Sequence, residues 1–167
     1  MTNPHLPKLY RVPYGEADFI KLRRGREYFL DKTHYLPKLE EAGRHIFLIR
    51  PRRIGKSLLQ SVMECYYDRN RADQFDELFA DTWIYDHPTE ERHQYMVLRL
   101  DFSLVHGSGQ DELKQSFSDH IRLATNEFCA YYREQLGEAL IADLKAESEP
   151  HKKLDTINRQ LKPLGHQ

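Results

Sequence analysis

Apolar residues recur at three- and four-residue intervals along much of this chain, and in two places they form short unbroken runs instead. The intervals predict helices, and the runs predict buried strands. Residues 1 to 14 carry Pro4, Pro7 and Pro13 without periodicity and are expected to be an extended lead-in packed through Leu9, Tyr10, Val12 and Tyr14. Glu16 to Leu22 predicts a short helix stopped by Gly25, followed by an apolar arm, Tyr28-Phe-Leu30. Thr33 offers an N-cap oxygen to a helix over His34 to Ala42, and Gly43 ends it. His45-Ile-Phe-Leu-Ile49 reads as a buried strand, a turn follows, and Leu58, Leu59, Val62, Met63 and Tyr66 mark one face of a helix reaching about Tyr67. Ala72 to Phe79 is a further helix, and Trp83-Ile-Tyr85 leads into a loop at Pro88. Tyr95 to Leu100 is the second strand. The remainder is helical: a long element from Asp111 to Tyr132 with Leu113, Phe117, Ile121, Ala124, Phe128 and Tyr131 on one face, then Glu134 to Ala146 and Lys152 to Leu161.

Alternating strands and helices predict an α/β fold with a parallel sheet flanked by helices, residues 15 to 167 forming one domain after the lead-in. The length of 167 residues suits one domain, and 40% hydrophobic with 31% charged residues suits a globular one. No 18-residue uncharged apolar run occurs, so no membrane span is expected, and the first residues lack the profile of a secretory signal, which makes the cytoplasm the expected location. Cys65 and Cys129 lie in apolar helical stretches and read as buried thiols. Neither cysteine pairs nor histidine spacing forms a metal-binding pattern, so a metal site made only of protein ligands is not expected. Tyr66 with Tyr67, and Tyr131 with Tyr132, each read as one buried and one half-exposed ring.

Charge adds what the total hides. The net charge is −1, yet residues 1 to 57 carry +7 and the rest −8. The basic excess lies in two runs, Lys21-Leu-Arg-Arg-Gly-Arg26 and Arg50-Pro-Arg-Arg-Ile-Gly-Lys56. The first reads as a surface with salt-bridge partners; it lacks the interleaved aromatics of a stacking platform, so nucleic acid is not the expected partner.

The second run carries chemistry. Arg50, Pro51, Arg52, Arg53, Ile54, Gly55, Lys56 and Ser57 match the generic phosphate-binding loop at every position except its first glycine, where Arg50 stands. Gly55 permits close backbone approach, the amides of a following helix meet negative charge, Lys56 reaches terminal phosphates, and Ser57 can hold Mg²⁺. Leu58 closes the segment on the helix side.

Four segments together, Tyr14-Gly15, Phe29-Leu-Asp-Lys-Thr33, Arg50 to Leu58, and Leu100-Asp-Phe-Ser103, resemble the N-terminal part of the bacterial AAA-ATPase-like domain proteins. The resemblance is specific from about Leu9 to Ser103. It makes Arg50 ordinary, since such loops read Arg-Pro-Arg-Arg-aromatic-Gly-Lys-Ser, and Ile54 a departure from the usual Phe. It implies ATP and Mg²⁺ as ligands, with Asp31 and Lys32 near the nucleotide and Thr33 a helix cap. Asp101 is the carboxylate available as a second magnesium ligand and catalytic partner of Lys56; the other reading of it is a strand-end residue that caps a turn or pairs with a local arginine. The family's Walker B run, an apolar strand ending Asp-Glu-Tyr-Asp, does not follow Ser103, and the acids of the C-terminal restriction-endonuclease-like nuclease domain that members often carry are not expected among these residues. The expected function is therefore ATP binding by a phosphate loop with weak or absent hydrolysis, in a sheet that stops before its catalytic strand. A protein partner or self-association would complete such a sheet. The alternatives are a non-enzymatic module binding phosphate, nucleic acid or protein, and a gene fragment without a function of its own.

Overall fold

The computed structural model describes residues 11–43, 45–51 and 53–161, and the chain divides into two compact units, Met1–Gln94 and Tyr95–Gln167. Leu9 and Tyr10 of the lead-in lie outside the described residues. Val12 and Tyr14 are exposed rather than packed, at 86% and 103%.

Among the described residues every regular element is a helix, which corrects the expected parallel sheet. An isolated parallel bridge joins Arg11 with Glu27, where the Tyr28 amide donates to the Arg11 carbonyl at 2.7 Å. Residues 45–50 and 96–100 belong to no helix or strand, and Tyr95 is no more than an isolated bridge residue. The physical reason is that a strand needs a neighbour to take its amides and carbonyls, and an apolar run does not encode one. Phe47 and Ile49 are 92% and 89% exposed, so the first run buries almost nothing. In the second, Met96 and Leu98 pack on a helical core and the Val97 amide donates to the Tyr132 hydroxyl at 2.8 Å, a side chain standing where a strand was expected.

The first unit holds α1 (Phe19–Arg24), α2 (Leu36–Glu41), α3 (Lys56–Tyr67), α4 (Phe75–Phe79) and α5 (Trp83–Asp86), with 3-10 turns at Thr33–Tyr35 and Arg69–Gln74. Asp18 starts α1 by accepting the Ile20 and Lys21 amides, and Gly25 ends it. Phe19, Leu36, Val62, Tyr66, Leu78, Phe79 and Ile84 form a continuous apolar core at the meeting of these helices. The first basic run belongs to that scaffold: Arg24 makes a two-point pair with Glu77 at 2.9 and 3.1 Å, Lys21 faces Asp18, and Arg23 reaches the Ala80 carbonyl. The sequence shows α5 only as the approach to a loop, because four residues are too few to show a helical period.

The second unit holds α6 (Gln110–Tyr131), α7 (Arg133–Ala146) and α8 (Pro150–Leu161). α7 bends at Gly137, whose φ of 76° and ψ of 158° lie outside helical space. Phe128, Cys129, Tyr132, Leu140, Ile141, Leu144 and Ile157 make its core. Lys153, 4% exposed, donates its ammonium to the Leu144 carbonyl at 2.9 Å, closing the end of α7. Each tyrosine pair has one buried and one more open ring: Tyr66 is buried beside half-buried Tyr67, as the spacing predicts, but Tyr132 rather than Tyr131 is the buried ring of the second pair, Tyr131 being 45% exposed, which corrects its place on the apolar face. No helix among the described residues is long and apolar enough to cross a membrane.

Both thiols are free and buried. Burial pushes Cys65 up to about 12 and raises Cys129. At pH 8 the thiolate fraction of Cys65 is then on the order of one in ten thousand. Neither cysteine is expected to react with an aromatic disulfide reagent in the folded protein, and both should react in denaturant; fast release of one equivalent from the native chain would contradict the buried placement.

Candidate functional site

The loop ahead of α3 turns sharply through left-handed backbone at two positions. Arg53 and Gly55 both have positive φ, 64° and 81°, with Ile54 between them on the negative side. Alternating signs of φ turn successive amides toward one side, which is the geometry of an anion-binding nest. Only glycine takes the left-handed region without cost, and Gly55 sits there with ψ of 27° as the residue before the first helical turn. A Cβ at Gly55 would meet nothing within 4 Å, so the requirement for glycine is conformational rather than steric.

α3 then begins at Lys56 with no side chain capping it. Its first-turn amides and the positive end of its dipole remain directed at the loop. The helix is held from behind. Ser61 Oγ accepts the Phe19 amide at 2.9 Å, a buried bond joining α1 and α3, while Val62, Cys65 and Tyr66 anchor the far turns and Leu58 packs at the core's edge. Ser57, one turn ahead of Ser61, is exposed in the opening turn, and its hydroxyl has no hydrogen bond among the described residues. Lys56 Nζ donates to the Arg50 carbonyl at 2.6 Å and to the Pro51 carbonyl at 3.2 Å, folding the ammonium across the loop. Arg50, Pro51, Arg53, Ile54, Gly55, Lys56, Ser57 and Leu58 are thus brought together by one turn and one helix end. Arg52 lies outside the described residues.

The Asp-Lys-Thr segment is built differently from its expected role. Asp31 accepts the Thr33 amide on Oδ1 at 2.8 Å and the Trp83 amide on Oδ2 at 2.7 Å. Thr33 Oγ1 accepts the Ile84 amide at 3.0 Å. The two side chains satisfy the opening amides of α5 and the Thr33 amide, while α2 has no side-chain cap, which corrects the expectation that Thr33 caps the helix after it. Both Asp31 oxygens are engaged in this clasp; Lys32 is exposed.

Asp101 belongs to the second unit. Its Oδ1 accepts the Ser103 amide at 2.9 Å, and bonds from the Ser103 hydroxyl and amide hold the carboxyl below its ordinary range. No cluster of three or more His, Cys, Asp or Glu side chains that could hold a metal ion occurs among the described residues.

Beside the loop lies a cavity of about 310 Å³ bordered by Phe29, Leu30, Thr33, Ile54, Gly55 and Leu58. Reading along the chain does not find it, because its walls come from segments more than 20 residues apart. The trace it leaves in sequence is an apolar Phe29-Leu30 immediately ahead of Asp31.

The family described as predicted AAA-ATPase matches residues 13–166. A protein of Azotobacter chroococcum mcd 1, described as an uncharacterized protein in the vnfD 5′ region, is 36% identical over 93 residues. The match covers 55% of this chain and 17% of that protein, so the chain spans less than a fifth of that relative. No solved structure matches this chain.

Proposed function

Since this chain belongs to the predicted AAA-ATPase family, we propose that the loop from Arg50 to Ser57 binds the phosphates of a nucleoside triphosphate, ATP with Mg²⁺ being the ligand that the family implies. The observation that carries this reading is the nest at Arg53 to Gly55 opening onto the uncapped start of a 12-residue helix, with the Lys56 ammonium laid across the same loop. An anion there meets inward-facing amides, a helix dipole and a cation together. Lys56 exchanges two carbonyl partners for phosphate oxygens, a change from neutral acceptors to charged ones that strengthens each bond.

Ser57 suits Mg²⁺ in the manner usual for phosphate sites. The ion keeps several waters and takes one or two protein oxygens in addition to those of the nucleotide, and the Ser57 hydroxyl is free to be one. Bound there, Mg²⁺ would neutralise phosphate charge. Hydrolysis by these residues alone is slow in this reading. In-line attack needs a group that orients water, and the segment from Arg50 to Leu58 contains no acid, while Asp31 spends both oxygens on backbone amides. We assign Asp101 to capping the turn at Ser103.

The test is calorimetric titration of the whole chain with Mg-ATP, alongside release of phosphate. Lys56→Ala should weaken binding by about tenfold or more, the loss of a charge-assisted contact. Asp101→Ala should change the affinity by less than about twofold. Failure of the wild type to bind Mg-ATP, or binding of single-stranded nucleic acid that ATP does not compete away, would replace nucleotide with another phosphate ligand.

A further inference from the structure

We infer that a second cavity of the first unit, built around Phe75, binds a small zwitterion, a free amino acid or a short peptide, with its carboxylate on Arg92 and its ammonium on Asp76. This site shares no residue with the phosphate loop and does not depend on nucleotide binding there. The cavity has a volume of about 480 Å³, within the range of small-molecule sites, and is bordered by Ala72, Phe75, Asp76, Tyr85, Arg92 and His93.

One ring organises the polar groups. Phe75 is buried, and the Arg92 guanidinium stands over it with Cζ 4.4 Å from the ring centroid. That guanidinium has no hydrogen bond or ion pair among the described residues, so its fork of donors is unspent. Tyr85 stacks on the same ring at 5.4 Å and donates its hydroxyl to Asp76 Oδ1 at 3.1 Å. Asp76 Oδ2 has no partner among the described residues. His93 stands edge-on to Phe75 at 5.6 Å, its Nδ1 3.1 Å from the Asp68 carbonyl. A cation and an anion, each positioned through Phe75, thus border one cavity without pairing with each other.

The charge count selects the ligand. Arg92 is the cation of the lining and Asp76 its anion. Burial pushes His93 below its ordinary range, so it adds no second cation at neutral pH. A phosphate group would bring close to two negative charges to a single guanidinium and meet a repelling carboxylate. A molecule with one carboxylate and one ammonium satisfies both walls: the planar fork takes the two carboxylate oxygens and Oδ2 takes the ammonium. Phe75 offers little open surface beneath Arg92, so the two charged contacts carry the affinity and the ligand's own side chain adds little.

The probes are L-alanine, the dipeptide Ala-Ala, N-acetylalanine and alaninamide, titrated calorimetrically into the whole chain at about pH 7, where both amines are charged. At least one zwitterion should bind with Kd on the order of 1 mM or tighter. Tighter binding of alanine identifies a free amino acid as the source, and tighter binding of Ala-Ala identifies peptide ends. N-acetylalanine lacks the ammonium and alaninamide the carboxylate, and each should bind about tenfold or more weakly than the better zwitterion. Arg92→Gln should cost the zwitterion about tenfold and leave it no better than alaninamide; Asp76→Asn should cost the same and leave it no better than N-acetylalanine. A urea midpoint close to that of the wild type checks that each variant is folded. No binding of either zwitterion at about 10 mM would overturn the site. So would an analogue that binds as tightly as the zwitterion, or a folded variant that keeps wild-type affinity. The analogues act on the wild type, so the proposal can fail whether or not the variants fold.

Discussion

Phe79→Ala is expected to destabilise the first unit by about 3–5 kcal/mol, while Phe47→Ala, the same deletion of a ring, should change stability by less than about 0.5 kcal/mol. The contrast follows from where the two rings lie. Phe79 is fully buried and touches three aromatic neighbours: Phe19 at 5.1 Å, Tyr66 edge-on at 5.6 Å and Phe75 stacked at 5.2 Å. α1, α3 and α4 meet at that ring, so its removal leaves a void that none of the three helices can close without breaking its own contacts. Phe47 is 92% exposed on the segment 45–50 and loses no partner. Trp83, the chain's one tryptophan, lies in the same unit and reports the transition in a urea titration followed by fluorescence. Equal midpoints for the two variants would mean that the apolar run at 45–49 is packed and the helical core is not.

That contrast also shows where sequence reasoning reached and where it stopped. Hydrophobic spacing located α3, α6 and α7 to within a residue or two, because a helix closes its hydrogen bonds within itself and its pattern is local. The burial of Tyr66 and of both thiols came from the same periodicity, which misplaced the second pair by one residue: it put Tyr131 on the apolar face, and Tyr132 is the ring that is buried. The two strands failed for the converse reason. His45 to Ile49 and Tyr95 to Leu100 carry the composition of strands, but pairing depends on a second segment that composition does not name, and Met96 and Leu98 instead alternate against helices. The loop was legible because its requirements are local too: a glycine in left-handed space, then a lysine at the helix start. The cavity was not, since Phe29 and Leu58 are far apart in sequence. Nor was the structural use of Asp31 and Thr33, whose partners lie 52 and 51 residues away.

Thr33→Val should cost the first unit about 1–3 kcal/mol although it keeps the side chain's shape and adds apolar surface. Thr33 is 1% exposed, and its Oγ1 takes the Ile84 amide at 3.0 Å. Valine leaves that amide buried with no acceptor, and the desolvation of an unpaired N–H is what the substitution exposes. Thr33→Ser retains the oxygen and should recover most of the loss, giving up only one buried methyl group, about 1 kcal/mol. Asp31→Ala should act on the same feature from its exposed side, freeing the Trp83 amide to water and thus costing less than Thr33→Val. The order of the three variants separates a structural clasp from a nucleotide contact. If the Asp-Lys-Thr segment served the nucleotide first, Thr33→Val and Asp31→Ala would weaken Mg-ATP binding while leaving the urea midpoint in place. The geometry at α5 requires the reverse for Thr33: a lowered midpoint, with affinity retained in the fraction that stays folded.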